Sequence, residues 1–226
     1  MSDRYYSYYA IYCSSLYFES FALNITTAYL YGEVDRDIYL KIPKGIELDS
    51  QKYPFKLNKA IYGLQTSLKR WRDKLKEVIA QEFLQLKCER CVYYKISNDK
   101  MTIIATYVDD ILLVSNDDKD MELFFTIMKK NFKVKIIKQP KVFIGMELNW
   151  ETNLQLTISQ KDYMEKISRA FGFNSDKEIS TPMETNWKLP VSKDAINNHS
   201  EFRAYIGSFL YVSRYSRPVL IYLLYC

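Results

Sequence analysis

The chain has 226 residues, 48% hydrophobic and 26% charged, with a net charge of +5. This is the composition of a folded protein, long enough for one sizeable core or two joined subdomains. No segment is long and apolar enough to span a membrane, the N-terminus has no secretory pattern, and four cysteines do not make a disulfide scaffold, so a reducing compartment is expected. Tyrosine is abundant, at 20 residues, and some of these rings must sit at a surface where they can stack on bases or partners. The mild basic bias permits nucleic-acid binding.

In chain order, the opening YYSYYAIYCSSLYFESF predicts a helix that covers a sheet, and its end runs into a strand near Phe21–Ile25. A helix follows from about Leu68, with Leu68, Trp71, Leu75, Val78 and Ile79 on one face. Cys88 and Cys91 form a C-x-x-C pair whose further zinc ligands would have to come from far away in sequence. Cys91 opens the strand-like CVYYK and is expected as a packed thiol. Residues 103–114 read IIATYVDDILLV, two apolar β-rich runs around Asp109 and Asp110. That pattern predicts a β-hairpin with both acids at its tip. Two adjacent like charges repel, so the tip is either a cation site suited to phosphate chemistry or a solvated turn.

A second helix opens at Asn116 or Asp117 as N-cap, with Met121, Phe124, Phe125 and Met128 as its buried stripe. Strands FKVKII, KVFIGMELNW and LQLTIS come next. A third helix opens at Ser159 with Asp162 completing a capping box, and closes at Gly172. The fold class is α+β, built on β-α-β-β-α-β, the split βαβ arrangement. In that topology the 21–25 strand lies beside the hairpin. The stretch KKNFKVKIIKQPK gathers Lys129, Lys130, Lys133, Lys135, Lys138 and Lys141, either a solvated face or a surface for a phosphate backbone.

From about Phe21 to Pro218 the blocks LNITTAYLYGEVDRDIYLKIPKG, KLNKAIYGLQTSLKRW, CVYYK, YVDDILLVS, FIGMELNW, LTISQKDYMEKI, ISTPME and AYIGSFLYVSRYSRP follow one another. In this order and spacing the chain resembles the reverse transcriptase of copia-type long-terminal-repeat retrotransposons. The resemblance implies a polymerase palm on a split βαβ (ferredoxin-like) antiparallel sheet, with partial fingers and a thumb-like C-terminal part. It implies a single truncated domain over 1–226: a fingers or palm remnant over about 1–20, palm over 21–150, and a thumb- or connection-like part over 151–226. It implies RNA-directed DNA synthesis with two Mg²⁺, on an RNA or DNA template–primer with deoxynucleotides. The expected setting is intracellular, in a cytoplasmic virus-like particle or the nucleus. Asp109 and Asp110 match the family's metal-binding aspartates, and Tyr29, Tyr62 and Gly63 match its nucleotide-binding positions. Phe143, Gly145, Met146 and Glu147 fall in the hairpin that holds the primer end. Lys129, Lys130, Lys133 and Lys135 are candidates for the nucleic-acid backbone.

The chain departs from the pattern at several positions. Asn24 stands where the family has its third metal-binding aspartate. Gly63-Leu64-Gln65-Thr66-Ser67-Leu68-Lys69 replaces Gly-Leu-Lys-Gln-Ala-Pro-Arg, and Val219 replaces an aspartate after Arg217-Pro218. The basic fingers strands and a ribonuclease H domain are expected to be missing. Two readings follow: a polymerase domain made inactive by Asn24, or a non-catalytic nucleic-acid-binding or non-functional relic. An under-covered apolar face predicts self-association.

Overall fold

The computed structural model describes residues 9–12, 18–41, 45, 55–150, 155–172, 199–217 and 220. In chain order it contains β1 (Tyr9–Tyr12), β2 (Glu19–Ile25), a 3₁₀ turn (Ala28–Tyr31), β3 (Tyr39–Leu40), β4 (Phe55–Lys56) and α1 (Ser67–Ile79). Then come β5 (Leu84–Gln85), β6 (Val92–Ser97), β7 (Lys100–Tyr107), β8 (Asp110–Ser115) and α2 (Asp118–Asn131). The remainder is β9 (Val134–Lys138), β10 (Val142–Phe143), β11 (Met146–Trp150), β12 (Gln155–Ser159), α3 (Lys161–Ala170) and α4 (His199–Tyr215). This is a mixed α/β protein with antiparallel sheets and, among the described residues, four α-helices. None of those helices is long and apolar enough to cross a membrane. The chain divides into two units, Ser15–Ile144 and Met1–Ser14 with Gly145–Cys226.

The first unit is built on a six-stranded sheet in the order β5-β6-β7-β8-β2-β9. Alternation decides which side chains point inward. On β2, Leu23 and Ile25 are buried, and on β8, Ile111 and Leu113 are buried; Leu23 sits directly opposite Ile111. The 3-4 spacing of Trp71, Leu75, Val78 and Ile79 gives α1 one apolar stripe, and Met121, Phe124 and Met128 give α2 another; these residues join the sheet in one core. Leu68 belongs to the expected stripe but is 49% exposed, and Ser67 is buried in its place, its hydroxyl donating to the Ile61 carbonyl. The Asp117 side chain caps α2 by accepting from the Lys119 N–H. Asp118 and Asp120 in its first turn and Lys129 and Lys130 in its last suit the helix dipole.

In the second unit β1, β12 and β11 form antiparallel neighbours. The helix expected over the opening segment is therefore a strand at Tyr9–Tyr12, paired with β12; residues 1–8 and 13–17 lie outside the described residues. The strand expected over KVFIGMELNW is broken by a tight turn in which Ile144 and Gly145 take φ of 50° and 74°. Two successive positive-φ residues are the signature of a two-residue hairpin turn, which a continuous apolar run conceals. The expected capping box at α3 is replaced. Ser159 Oγ accepts the Lys161 N–H at 3.1 Å, and the Asp162 N–H is taken by Glu147 Oε1 at 2.8 Å. Gly172, at φ 67°, follows the end of α3 as expected. Cys91 is exposed rather than packed, and so is Cys88. The ISTPME block, Pro218 and Val219 fall outside the described residues.

Candidate functional site

The turn between β7 and β8 carries Asp109, and Asp110 is the first residue of β8. β8 pairs antiparallel with β2 so that Asp110 sits directly opposite Asn24. Residues opposite one another in an antiparallel ladder project from the same face. Because Leu23, Ile25 and Ile111 point into the core, Asn24 and Asp110 project from the other side of the sheet. The Asn24 amide closes on both acids. Its Nδ2 donates to Asp110 Oδ1 at 2.9 Å and lies 3.4 Å from Asp109 Oδ2. Among the described residues neither carboxylate has a lysine or arginine partner.

Two hydrogen bonds to backbone carbonyls and one strained residue fix this tip. The Ile25 N–H donates to the Asp109 carbonyl at 2.8 Å, tying the acid's backbone to β2. The Trp71 indole N–H, from the buried stripe of α1, donates to the Val108 carbonyl at 2.6 Å. Val108 takes φ 53°, a left-handed conformation that a β-branched residue adopts at a cost of about 1–3 kcal/mol. That cost is met because packed neighbours hold the turn: Trp71 is 1% exposed and packs edge-on against Phe132, ring centroids 5.2 Å apart.

The same cross-sheet row extends both ways. Tyr107 pairs with Asp110, and Lys135 on β9 pairs with Asn24. Lys135 therefore shares the face of Asn24 and Asp110, two strand spacings or about 10 Å from the latter. Lys129, Lys130 and Lys133 are also exposed in this unit.

Tyr29, in the 3₁₀ turn, meets Tyr62 edge to face at 4.4 Å between ring centroids. Tyr62 is 60% exposed, and its phenol is pushed above the ordinary range by partial burial, then by the charge of Asp109 and by Tyr29. The two tyrosines thus meet, and Tyr62 feels the field of the acidic tip. Gly63 follows at φ 87°, a conformation that glycine adopts freely. Phe143 is buried at the end of the first unit, while Gly145, Met146 and Glu147 open the second. Glu147 is engaged at the start of α3.

Of three supporting residues, only Gly32 carries any signal of its role in the sequence. Trp71 reads only as a stripe residue, and Val108 reads only as part of an apolar run. Gly32 sits where a Cβ would lie 3.0 Å from Arg70 Cβ and 3.1 Å from the Trp71 backbone nitrogen, so its lack of a side chain lets the Tyr29 turn approach α1. A glycine just after an aromatic cluster and ahead of a helix was the one available hint.

The acidic hairpin tip thus lies beside Asn24 of the neighbouring strand, with the helices on the opposite face of the sheet. The chain belongs to the reverse transcriptase (RNA-dependent DNA polymerase) family, which it matches over residues 17–185. It is 30% identical over 216 residues to the retrovirus-related Pol polyprotein from transposon TNT 1-94 of Nicotiana tabacum, covering 91% of this chain and 16% of that polyprotein. It is 27% identical over 203 residues to the Pol polyprotein from transposon RE1 of Arabidopsis thaliana, covering 88% and 14% respectively. It is 23% identical to a transposon Ty5-1 protein of Saccharomyces cerevisiae, covering 88% of this chain and 66% of that protein. The chain thus spans about one-sixth or less of the two plant polyproteins. These relatives agree with the copia-type retrotransposon resemblance in the sequence.

Proposed function

We propose that this chain carries the palm of a retrotransposon RNA-directed DNA polymerase and that this copy has lost its chemistry at Asn24. The observation that carries the proposal is the register: Asp110 opposite Asn24, with Asp109 beside them and all three joined through one amide. The strand order β7-β8-β2-β9, with α1 and α2 packed on the buried face, supports a split βαβ palm. In the lineage's reaction the primer 3′-hydroxyl attacks the α-phosphate of a deoxynucleotide, between two Mg²⁺ roughly 3.5–4 Å apart. Asp109 and Asp110 are the metal posts of that scheme. Tyr29, Tyr62 and Gly63 line the nucleotide. The turn from Phe143 through Gly145 and Met146 to Glu147 holds the primer end. The partners are a template–primer and deoxynucleotides, in the cytoplasm or nucleus.

Two magnesium ions do not fit the donor set present. Asp109 and Asp110 bring two negative charges against four positive ones, and the neutral residue between them presents N–H donors to the carboxylates. Mg²⁺ needs hard oxygen ligands, so a reversed amide could contribute one carbonyl oxygen and no charge. Primer extension on an RNA template, comparing the chain with its Asn24→Asp variant, tests the proposal. Extension by the variant alone supports it, and extension by the unmodified chain overturns the loss of chemistry. Extension by neither moves the defect elsewhere, the altered loop after Gly63 being the first place to look.

A second reading, a non-catalytic nucleic-acid-binding protein, is favoured by one observation. Lys129, Lys130, Lys133 and Lys135 are exposed, and among the described residues none is engaged in an ion pair. Phosphate tracking by such lysines makes the logarithm of the affinity fall linearly with log salt. A weak affinity that salt does not change would reject it.

A further inference from the structure

We infer that Asn24 has turned the inherited metal centre into a metal-free one, in which its amide takes the place of the bridging cation. The inference rests on the reading of Asp109, Asp110 and position 24 as the lineage's three metal posts, and goes on to what now occupies the space between them.

Two carboxylates held side by side repel, and a positive partner or hydrogen-bond donors between them relieve that repulsion, since an ionised carboxylate only accepts. In the ancestral arrangement a third carboxylate at position 24 would add a third anionic group, and the repulsion among the three would favour a bound cation. Here one NH₂ group reaches Asp110 at 2.9 Å and Asp109 at 3.4 Å, and the acids are bridged from within the chain. To admit a cation on the same oxygens, the amide would have to turn its oxygen inward. That forfeits both donor contacts and, without a fully coordinated cation, sets a carbonyl dipole against two anions. Lys135 lies on the same face in the register row Asp110–Asn24–Lys135, about 10 Å from Asp110, and its positive charge is a further, screened disincentive to a second cation. Fewer ligand charges and a self-satisfied pair both weaken divalent-cation binding.

The backbone does not need the cation either. The tip is fixed by the Ile25 N–H on the Asp109 carbonyl and the Trp71 indole on the Val108 carbonyl. Neither bond involves a carboxylate oxygen. The hairpin therefore keeps its shape without metal.

The test uses the full chain and MnCl₂ as the probe, with bound Mn²⁺ counted by electron paramagnetic resonance and the thermal midpoint read in EDTA and in Mn²⁺. The unmodified chain is expected to have the same midpoint in both and no site of appreciable affinity. Asn24→Asp is expected to melt lower in EDTA, to recover in Mn²⁺, and to bind Mn²⁺ about tenfold tighter or more. Should Asn24→Asp fail to fold, Asn24→Ala keeps the question open to measurement. It removes the bridge without adding charge, and is expected to lower the midpoint in EDTA and regain part of the loss in Mn²⁺. An unmodified chain that binds Mn²⁺ as tightly as Asn24→Asp, or whose midpoint rises with Mn²⁺, overturns the inference. So does an Asn24→Ala chain as stable as the unmodified one in EDTA. These readouts are independent of primer extension, so a failure of this inference and a failure of the polymerase-lineage proposal on which it rests are told apart.

Discussion

Replacing Trp71 with phenylalanine probes how the acidic tip is held. The indole N–H gives Val108 its hydrogen bond at 2.6 Å, and phenylalanine has no donor. A partly buried acceptor left without its partner costs about 1–3 kcal/mol. The smaller ring also leaves roughly 40 Å³ unfilled between α1 and Phe132, worth about 1 kcal/mol at about 24 cal/mol per Å³. Against this, a freed Val108 can leave its left-handed conformation and recover about 1 kcal/mol of strain. The net expectation for Trp71→Phe is a loss of about 1–3 kcal/mol in urea unfolding. Phe83→Leu is the control: Phe83 is 1% exposed in the same core and has no donor to lose. The distinguishing signal is local. The Ile25 N–H donates to the Asp109 carbonyl, so its hydrogen exchange should speed up in Trp71→Phe beyond the global loss of stability, and not in Phe83→Leu. Equal unfolding losses in the two variants, with unchanged relative protection at Ile25, would refute the role given to the indole.

Three further outcomes are expected. Gly32→Ala should cost about 1–3 kcal/mol, because its Cβ meets the backbone of α1, whereas Gly207→Ala, with nothing within 4 Å, should gain about 0.5–1 kcal/mol; paired thermal melts check both. Asp109→Asn should lower the Tyr62 phenol pKa, read by NMR of ring-labelled tyrosine, since the Asp109 charge is one of the causes that raise it; an unmoved Tyr62 would separate it from the tip. The hydrogen bond from Lys100 is the first cause holding the Asp117 carboxyl below its ordinary 3.8, so the stability it lends is full above that value and fades as pH falls through the lower folded-state pKa. Lys100→Met should flatten that part of the acid-unfolding curve, and an identical acid limb in the variant would count against the pairing.

Periodicity carried much of the first unit. The alternation in IIATYVDDILLV and the helical spacing of Trp71, Leu75, Val78 and Ile79 are local signals, and they survive because burial on one face enforces them. What failed depended on partners distant in sequence. Tyr9–Tyr12 lies in a strand because β12, nearly 150 residues later, offers it an edge. The Ile144–Gly145 turn is written in backbone dihedral angles that the apolar letters around it do not show. Glu147 capping α3 replaces a serine-acid pair that looks sufficient on its own. At the candidate site the acids and Asn24 could be picked out as letters, but that the amide faces both acids could not. That geometry follows from register, which pairing across three strands sets.

Family resemblance can outlast the chemistry it implies because the two rest on different bonds. The tip is shaped by a backbone bond from Ile25, an indole bond from Trp71 and the apolar pairing of Leu23 with Ile111. None of these depends on the charge at position 24. An aspartate-to-asparagine exchange there changes one atom group on the solvent side of β2 and leaves the core side untouched. The amide even removes a repulsion that the fold otherwise has to tolerate without a metal. Selection on catalysis would oppose such a change and selection on folding would not. A chain that keeps this core pairing and carries an amide at the proposed third ligand position is therefore what relaxed catalytic demand should leave behind. The reverse exchange, Asn24→Asp, should cost the apo-protein stability even as it supplies the proposed third ligand.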